Sequence, residues 1–125
     1  MKLVLSLFSG IGGLCHHGIS CAGLSHKFQV QQFVEISPYS QSILRHEQPT
    51  VPIDPDINNY NCSRHQFDII CGGLPCQGTS NAGNRQGLLD HRSGLWTEQF
   101  RIINQCRPAF ALIENLTGLL HRGLA

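Results

Sequence analysis

The chain has 125 residues and a formal net charge of +1, with 41% hydrophobic and 14% charged residues. This length allows one domain with a single buried core. The near-zero net charge excludes a protein that binds nucleic acid through overall charge alone, since that mode of binding needs a strongly basic surface.

The cysteine positions argue against a disulfide scaffold. The six cysteines form no CxxC pair and most lie in apolar segments, so we expect reduced thiols, with Cys15, Cys21, Cys71 and Cys106 buried as structural residues. Because Met1 and Lys2 lead directly into a short apolar run, we expect no secretory leader, and no apolar run reaches membrane-spanning length. A cytoplasmic protein without membrane contact is therefore expected.

The histidines give no sign of a metal site. Neither the seven histidines nor the cysteines have the spacing of metal ligands, so we expect no metal. His16 and His17 are adjacent and would point to different faces of a helix. They are expected to be ordinary surface or helix-end residues.

Strand and helix patterns alternate along the chain. Short apolar runs predict buried strands at residues 3–8, 29–36, 67–73 and 109–115. Helices are predicted at residues 12–24, at 37–48 with Pro38 in the first turn, and at 93–106, with Ser93 as a candidate N-cap and Pro108 as the stop. Residues 49–64 are predicted to be loop with one short strand near Ile57, and residues 77–92 a long loop of the kind that usually carries function. This order predicts an α/β fold with a right-handed, doubly wound parallel sheet.

The chemically suggestive groups all follow predicted strands, where such a sheet binds its ligand. The turn SGIGG (9–13) allows close approach of a ligand to the backbone, although a plain strand-to-helix turn fits it equally well. Glu35 is placed to bond ribose hydroxyls. Because the turn is not GxGxxG and no P-loop lysine follows, a nucleoside without a phosphate grip fits better than a dinucleotide.

Cys76 lies on a tight turn after the third of these strands. Pro75 restricts the backbone, the surrounding glycines relieve crowding, and a buried structural cysteine is the alternative to a reactive thiol. Arg85 and Arg92 are candidates to favour its ionisation. Glu114 ends an apolar strand and is either solvated or functional; a partly shielded carboxyl there would stay protonated and donate a hydrogen bond to a substrate.

Six segments in a fixed order resemble motifs of the cytosine-C5 DNA methyltransferases: LFSGIGGL (7–14), VEISPYS (34–40), PDI (55–57), GGLPCQGTSNAG (72–83), DHRSGLW (90–96) and ENLTGLL (114–120). The first is similar to the motif that holds S-adenosylmethionine, the second to the motif whose acidic residue contacts the ribose, and the third to the motif that contacts the adenine. The fourth resembles the nucleophile loop and the last the ENV motif. The resemblance covers nearly the whole chain, and six motifs in order make it specific.

This resemblance implies a Rossmann-like, S-adenosylmethionine-dependent methyltransferase of the kind found in restriction-modification systems. The cofactor-binding residues it implies are Phe8, Gly10, Ile11, Gly12, Gly13, Leu14, Glu35, Ile36, Asp56, Ile57, Pro75 and Leu95. It also implies a DNA substrate whose cytosine is flipped out of the duplex. Cys76 then adds to C6 of the ring and Glu114 bonds N3. C5 takes the methyl group, a base removes the C5 proton, and the cysteine leaves.

The sequence departs from the family at Ser37, Leu74 and Thr79, where Asp, Pro and Phe are usual. Family members also continue past the ENV motif to a target-recognition domain and a last helix. We therefore expect residues 1–125 to be the N-terminal part of a catalytic domain that needs a second polypeptide carrying those parts. Such a half should leave a sheet edge and apolar faces uncovered.

Three other hypotheses remain open from the sequence. The first is that the chain is a noncatalytic remnant or cofactor-binding fragment of such an enzyme. The second is that it is a relative of the tRNA cytosine-C5 methyltransferases, which share these motifs. The third is an unrelated thiol enzyme that uses Cys76 with a histidine.

Overall fold

The computed structural model describes residues 1–73 and 94–114. In chain order its elements are β1 (Lys2–Leu7), a π-helical turn (Gly13–His17), α1 (Gly18–Cys21), β2 (Phe28–Val34), α2 (Pro38–Glu47), β3 (Ile53–Asp54), β4 (Ile69–Gly73), α3 (Leu95–Cys106) and β5 (Phe110–Glu114). All strands pair in parallel, in the order β3-β2-β1-β4-β5. The predicted doubly wound parallel α/β fold is confirmed.

Each face of the sheet carries its own apolar core. On the α3 face the buried cluster is Leu5, Leu7, Val34, Ile57, Tyr60, Phe67, Ile70, Ile102 and Cys106. On the opposite face, against the π-helical turn and α2, it is Val4, Cys15, Val30, Phe33, Leu44 and Cys71. Strands buried on both faces are apolar at consecutive positions, which is why the runs at β1 and β4 predicted them correctly.

The strand order fixes where a ligand can bind. The chain passes from β1 outward to β2 and β3, then returns to β4 on the other side of β1. Open α/β sheets bind ligands at the carboxyl ends of the strands, at the point where the order reverses. In this sheet that point lies between β1 and β4.

The two longer helices begin at different kinds of cap. α2 has Ser37 as its N-cap, whose hydroxyl accepts a hydrogen bond from the Ser40 N–H at 3.3 Å, with Pro38 in the first turn. The prediction that Ser93 caps α3 is wrong, because the N-cap is Gly94, which offers no side-chain acceptor. α3 ends as predicted before Pro108, with Arg107 in the left-handed region at φ 53°.

Two other predicted elements differ in place or length. The short strand lies at Ile53–Asp54 and not near Ile57, because Ile57 belongs to the turn that follows Asp56. The helix predicted over residues 12–24 is shorter, a π-helical turn followed by one turn of α-helix. Gly12 at φ 93° and three further glycines in this stretch account for the change, since glycine weakens helices.

The cysteines agree with the expectation except at one position. Cys15 and Cys71 are buried as predicted, and their sulfur atoms meet between the π-helical turn and β4. Cys21 is exposed and not buried, whereas Cys106 is buried as predicted. Burial, followed by a hydrogen bond and charge interaction with Cys106, raises the pKa of Cys62 to about 12. The Cys62 thiol therefore stays protonated near neutral pH and is a poor nucleophile.

β5 forms one edge of the sheet over the described residues. Its side chains Phe110 and Leu112 are 72% and 57% exposed. The expected uncovered edge and apolar surface are therefore present at β5. Within residues 1–73 and 94–114, no helix is long and apolar enough to cross a membrane.

Candidate functional site

A cleft with a volume of about 270 Å³ opens at the carboxyl ends of the strands, beside the switch point. Seven residues that the resemblance assigned to the cofactor line this cleft: Phe8, Gly10, Glu35, Ile36, Asp56, Ile57 and Leu95. They come from four separate stretches of sequence, which the sheet topology brings to one place.

The turn after β1 forms the near wall of the cleft through an unusual backbone. Phe8 and Gly10 both have positive φ, at 51° and 56°, a conformation that costs about 1–2 kcal/mol for a residue with a side chain. Ser9 holds the turn in this shape: its hydroxyl donates to the Ser6 carbonyl at 2.9 Å and its N–H donates to the Val34 carbonyl at 3.3 Å. The strained turn is thus fixed by β1 and β2 together.

Glu35 is held in place by backbone donors on both sides. One carboxylate oxygen accepts from the Gly10 N–H and the other from the Ser37 N–H, each at 2.7 Å. Its own backbone N–H donates to the Asp54 carbonyl at 3.0 Å, and its carbonyl accepts from the Gln41 side-chain amide at 2.6 Å. The carboxylate is therefore preorganised at the cleft wall.

The far wall is built on a turn that α3 supports. Asp56 accepts through its carboxylate from Asn58 and Asn59, which closes the turn around Ile57. Arg101 of α3 donates to the carbonyls of Ile57 and Tyr60, both at 2.9 Å. The guanidinium thus ties the apolar wall of the cleft to the helix.

Sequence reasoning missed Arg101 as a supporting residue. Its guanidinium pairs with the Glu98 carboxylate at 2.6 Å, a spacing of three residues on α3. That spacing is visible in the sequence. The contact with Ile57, 44 residues earlier, is not.

Glu114 lies beside the last residue of β4. Gly73 and Glu114 are partners in the register of β4 and β5, and a Cβ atom on Gly73 would lie 2.6 Å from the Glu114 Oε2. The carboxylate thus needs a glycine beside it. Glu114 is exposed, and its catalytic role stays a prediction.

Four predicted cofactor residues in the described part of the chain do not line the cleft. Ile11 and Leu14 are 48% and 39% exposed and do not line the cleft. Gly12 and Gly13 lead into the π-helical turn, where Gly12 faces Leu44 of α2. Pro75 and Cys76, like the long loop predicted at 77–92, lie outside the described residues. These assignments stay predictions.

The histidine pair is arranged differently from the sequence expectation. The rings of His16 and His17 lie side by side, with centroids 5.0 Å apart. His17 Nε2 lies 3.0 Å from the Glu47 Oε2 of α2. Both rings therefore lie on one surface, together with a carboxylate from another helix.

The electrostatics of the cleft favour an uncharged or cationic ligand. Its described lining includes two carboxylates, Glu35 and Asp56, and neither lysine nor arginine. A phosphate would meet negative charge there without a compensating cation. The fold and the cleft define an open α/β protein with a ligand site at the switch point of its sheet.

Comparison with known proteins identifies the family. The family described as C-5 cytosine-specific DNA methylase matches residues 3–124, and the chain belongs to it. The Type II methyltransferase M2.BsuMI of Bacillus subtilis (strain 168) is 37% identical over 128 residues, which is 98% of this chain and 31% of that protein. M.AquIA, a Type II methyltransferase of Picosynechococcus sp. (strain ATCC 27264 / PCC 7002 / PR-6), is 32% identical over 130 residues, covering 96% of this chain and 50% of that protein.

A solved structure agrees with the family. A putative DNA modification methyltransferase encoded within an Escherichia coli prophage superposes with a TM-score of 0.75 at 29% identity, over 96% of this chain and 33% of that one. The chain thus spans about a third to a half of the length of the relatives it matches.

Proposed function

We propose that this chain binds S-adenosylmethionine and carries the nucleophile of a DNA (cytosine-5-)-methyltransferase. The observation that carries the proposal is the cleft at the switch point, where seven residues of the family's cofactor motifs converge from four stretches of sequence. Membership of the cytosine-C5 family supports the reaction class.

The residues of the cleft fit this cofactor. A carboxylate offers about four acceptor sites, and Gly10 and Ser37 take two of those on Glu35, so capacity remains for two ribose hydroxyls. Phe8 and Ile57 offer apolar surface for a base. The two carboxylates and the lack of basic residues among the described lining suit a cationic nucleoside without phosphates.

S-adenosylmethionine supplies, when bound, a methyl group made transferable by its sulfonium charge. The Cys76 thiolate adds to C6 of the flipped cytosine and makes C5 nucleophilic. Glu114 bonds N3 and stabilises the charge that forms on the ring. Cys76 lies three positions after Gly73, a span of roughly 11 Å at most, and Gly73 pairs with Glu114 in the register of β4 and β5. That limit supports a shared site for the thiol and the carboxylate.

We propose further that a second polypeptide supplies the target-recognition domain and the last helix, and that the assembly acts on DNA in the cytoplasm. The relatives that match are two to three times as long as the matched region. The net charge of +1 also supports a partner, because DNA binding draws on many cationic contacts.

Cofactor binding by the whole chain tests the cofactor part of this proposal. We expect Glu35→Ala to raise the dissociation constant for S-adenosylmethionine at least tenfold, because the acceptors for the ribose hydroxyls are lost. Isothermal titration calorimetry measures this constant. Glu47→Ala is the matched control, since Glu47 ends α2 roughly 15 Å along the helix from the cleft and its side chain is exposed. Far-UV circular dichroism checks that both variants fold.

The outcomes separate the hypotheses. An unchanged dissociation constant in Glu35→Ala would remove Glu35 from the cofactor site. No binding by the unaltered, folded chain would contradict cofactor binding and favour a noncatalytic remnant.

A further inference from the structure

We propose that His16, His17 and Glu47 form a binding site for a divalent transition-metal ion, with Zn²⁺ as the reference ion. None of the three residues lines the cofactor cleft. The sequence predicted no metal because the ligands lack a regular spacing; two come from the π-helical turn and the third from the end of α2, thirty residues later.

The three donor groups converge closely enough to hold one ion. One ligand atom from each residue lies within 4.8 Å of the other two, and His17 Nε2 is already 3.0 Å from the Glu47 Oε2. Zinc binds imidazole nitrogen and carboxylate oxygen at about 2.0–2.2 Å, so two donor atoms of a tetrahedral site lie roughly 3.4 Å apart. The widest gap between the donor atoms therefore needs to close by at most roughly 1.4 Å, which rotation of the side chains can supply.

The backbone beneath these donors is fixed, whereas their side chains can adjust. Cys15, the residue before His16, is buried and its sulfur contacts that of Cys71 in β4. A Cβ atom on Gly12 would lie 3.3 Å from the Leu44 side chain of α2, so the turn packs tightly against that helix. The side chains of His17 and Glu47 are 43% and 35% exposed and have room for a small rotation.

The surroundings favour a cation. The donors lie at the carboxyl end of α2, where the helix dipole is negative, and Glu47 adds a negative charge. Arg45 in the same turn donates to the Gln41 side-chain oxygen at 3.2 Å, which directs its charge back along the helix. His46 is exposed and outside the cluster.

A fourth ligand is available beside the cluster. The Gln48 side-chain amide lies 3.2 Å from His16 Nε2. Rotation of that amide by half a turn exchanges its nitrogen for its oxygen, which can then face the ion; a water molecule serves equally well. Two histidines, one glutamate and one such ligand complete a tetrahedral set.

The ordinary alternative is a surface ion pair between His17 and Glu47 with no affinity for metal. The two interpretations differ in a measurable way, because an ion would bridge the turn after β1 to α2. Binding only to the folded chain would raise its melting temperature by roughly 5 °C or more at saturating Zn²⁺. An ion pair gives no such response.

Titration of the whole chain with Co²⁺ and Zn²⁺ tests the site. We expect one ion per chain, with Co²⁺ giving visible ligand-field bands and no sulfur-to-cobalt charge-transfer band. His17→Ala and Glu47→Gln should each weaken Zn²⁺ binding at least tenfold in competition with a chromophoric chelator. The matched control, His46→Ala, removes an exposed histidine from the same region and should leave the affinity unchanged.

Three results would overturn the proposal. The first is that the unaltered chain binds no ion, and the second is that binding survives both His17→Ala and Glu47→Gln. The third is a Co²⁺ spectrum with the sulfur-to-cobalt band, which would assign the ion to a thiol such as the exposed Cys21. None of these readouts uses S-adenosylmethionine or DNA, so the metal site stands or falls independently of the proposed methyltransferase.

Discussion

Gln99 carries a buried side-chain amide that finds no hydrogen-bond partner among residues 1–73 and 94–114. It is 0% exposed, and neither its Nε2 nor its Oε1 has a hydrogen-bond partner in the part of the chain that the structure describes. A Cβ atom on Gly72 of β4 would lie 2.9 Å from this Nε2, so the amide is packed against the sheet. A buried amide or hydroxyl without partners costs about 1–3 kcal/mol. Because methionine has nearly the same shape without the polar atoms, we expect Gln99→Met to raise the free energy of unfolding by about 1–3 kcal/mol.

Urea unfolding followed by far-UV circular dichroism measures this change. Gln105→Met is the matched control on the same helix, since the Gln105 amide donates to Asn61 Oδ1 and accepts from the Cys62 N–H, both at 3.0 Å. Its loss should lower stability by about 1–2 kcal/mol. A Gln99→Met variant that is less stable than the unaltered chain, with an unchanged denaturant slope, would show that the amide has a partner and refute the reasoning.

Two further predictions concern the far wall of the cleft and the buried tyrosine. Arg101→Met removes the donors to Ile57 and Tyr60 and should raise the dissociation constant for S-adenosylmethionine about 3–10-fold. The control Arg107→Met, at an exposed helix end, should leave it unchanged. Equal dissociation constants for the two variants, measured by calorimetry, would contradict the supporting role of Arg101. Burial, the largest cause, raises the pKa of Tyr60 from 10.0 to about 12, so the folded chain holds this proton more tightly than the unfolded chain. The stabilisation by the Tyr60 proton is complete below about pH 10 and is lost toward pH 12, so the urea midpoint of the unaltered chain should fall over this range. Tyr60→Phe should flatten this fall, whereas the control Tyr39→Phe, at an exposed tyrosine, should not. An equal fall in all three proteins would contradict the assignment.

Most of the fold could be predicted because its signals are local. β1 and β4 are buried on both faces and are therefore apolar at consecutive positions, and Ser37 followed by Pro38 marks the start of α2. The short strand at Ile53–Asp54 was misplaced because two residues carry no periodicity. The cap at Gly94 was missed because a glycine N-cap has no side chain to reveal it.

The candidate site was predictable only where position in the fold determines the role. The location of Glu35 after a predicted strand was enough to place its carboxylate near the turn after β1. The support from Arg101 and the unsatisfied amide of Gln99 depend on contacts across the fold, which no spacing encodes. The cluster of His17 and Glu47 needed the π-helical turn, since the expected α-helix would separate the two histidine rings.

Covalent trapping tests the central proposal most directly, using the chain mixed with the C-terminal half of a related enzyme, fluorocytosine-containing DNA and labelled S-adenosylmethionine. We predict a crosslinked, labelled complex that needs both polypeptides and disappears in Cys76→Ser. The complex should persist in Cys62→Ser, because burial raises the pKa of the Cys62 thiol to about 12 and makes it a poor nucleophile. If the partner half binds and the chain takes up cofactor, yet no crosslink forms, or if the crosslink survives Cys76→Ser, then Cys76 is not the nucleophile of a cytosine methyltransferase.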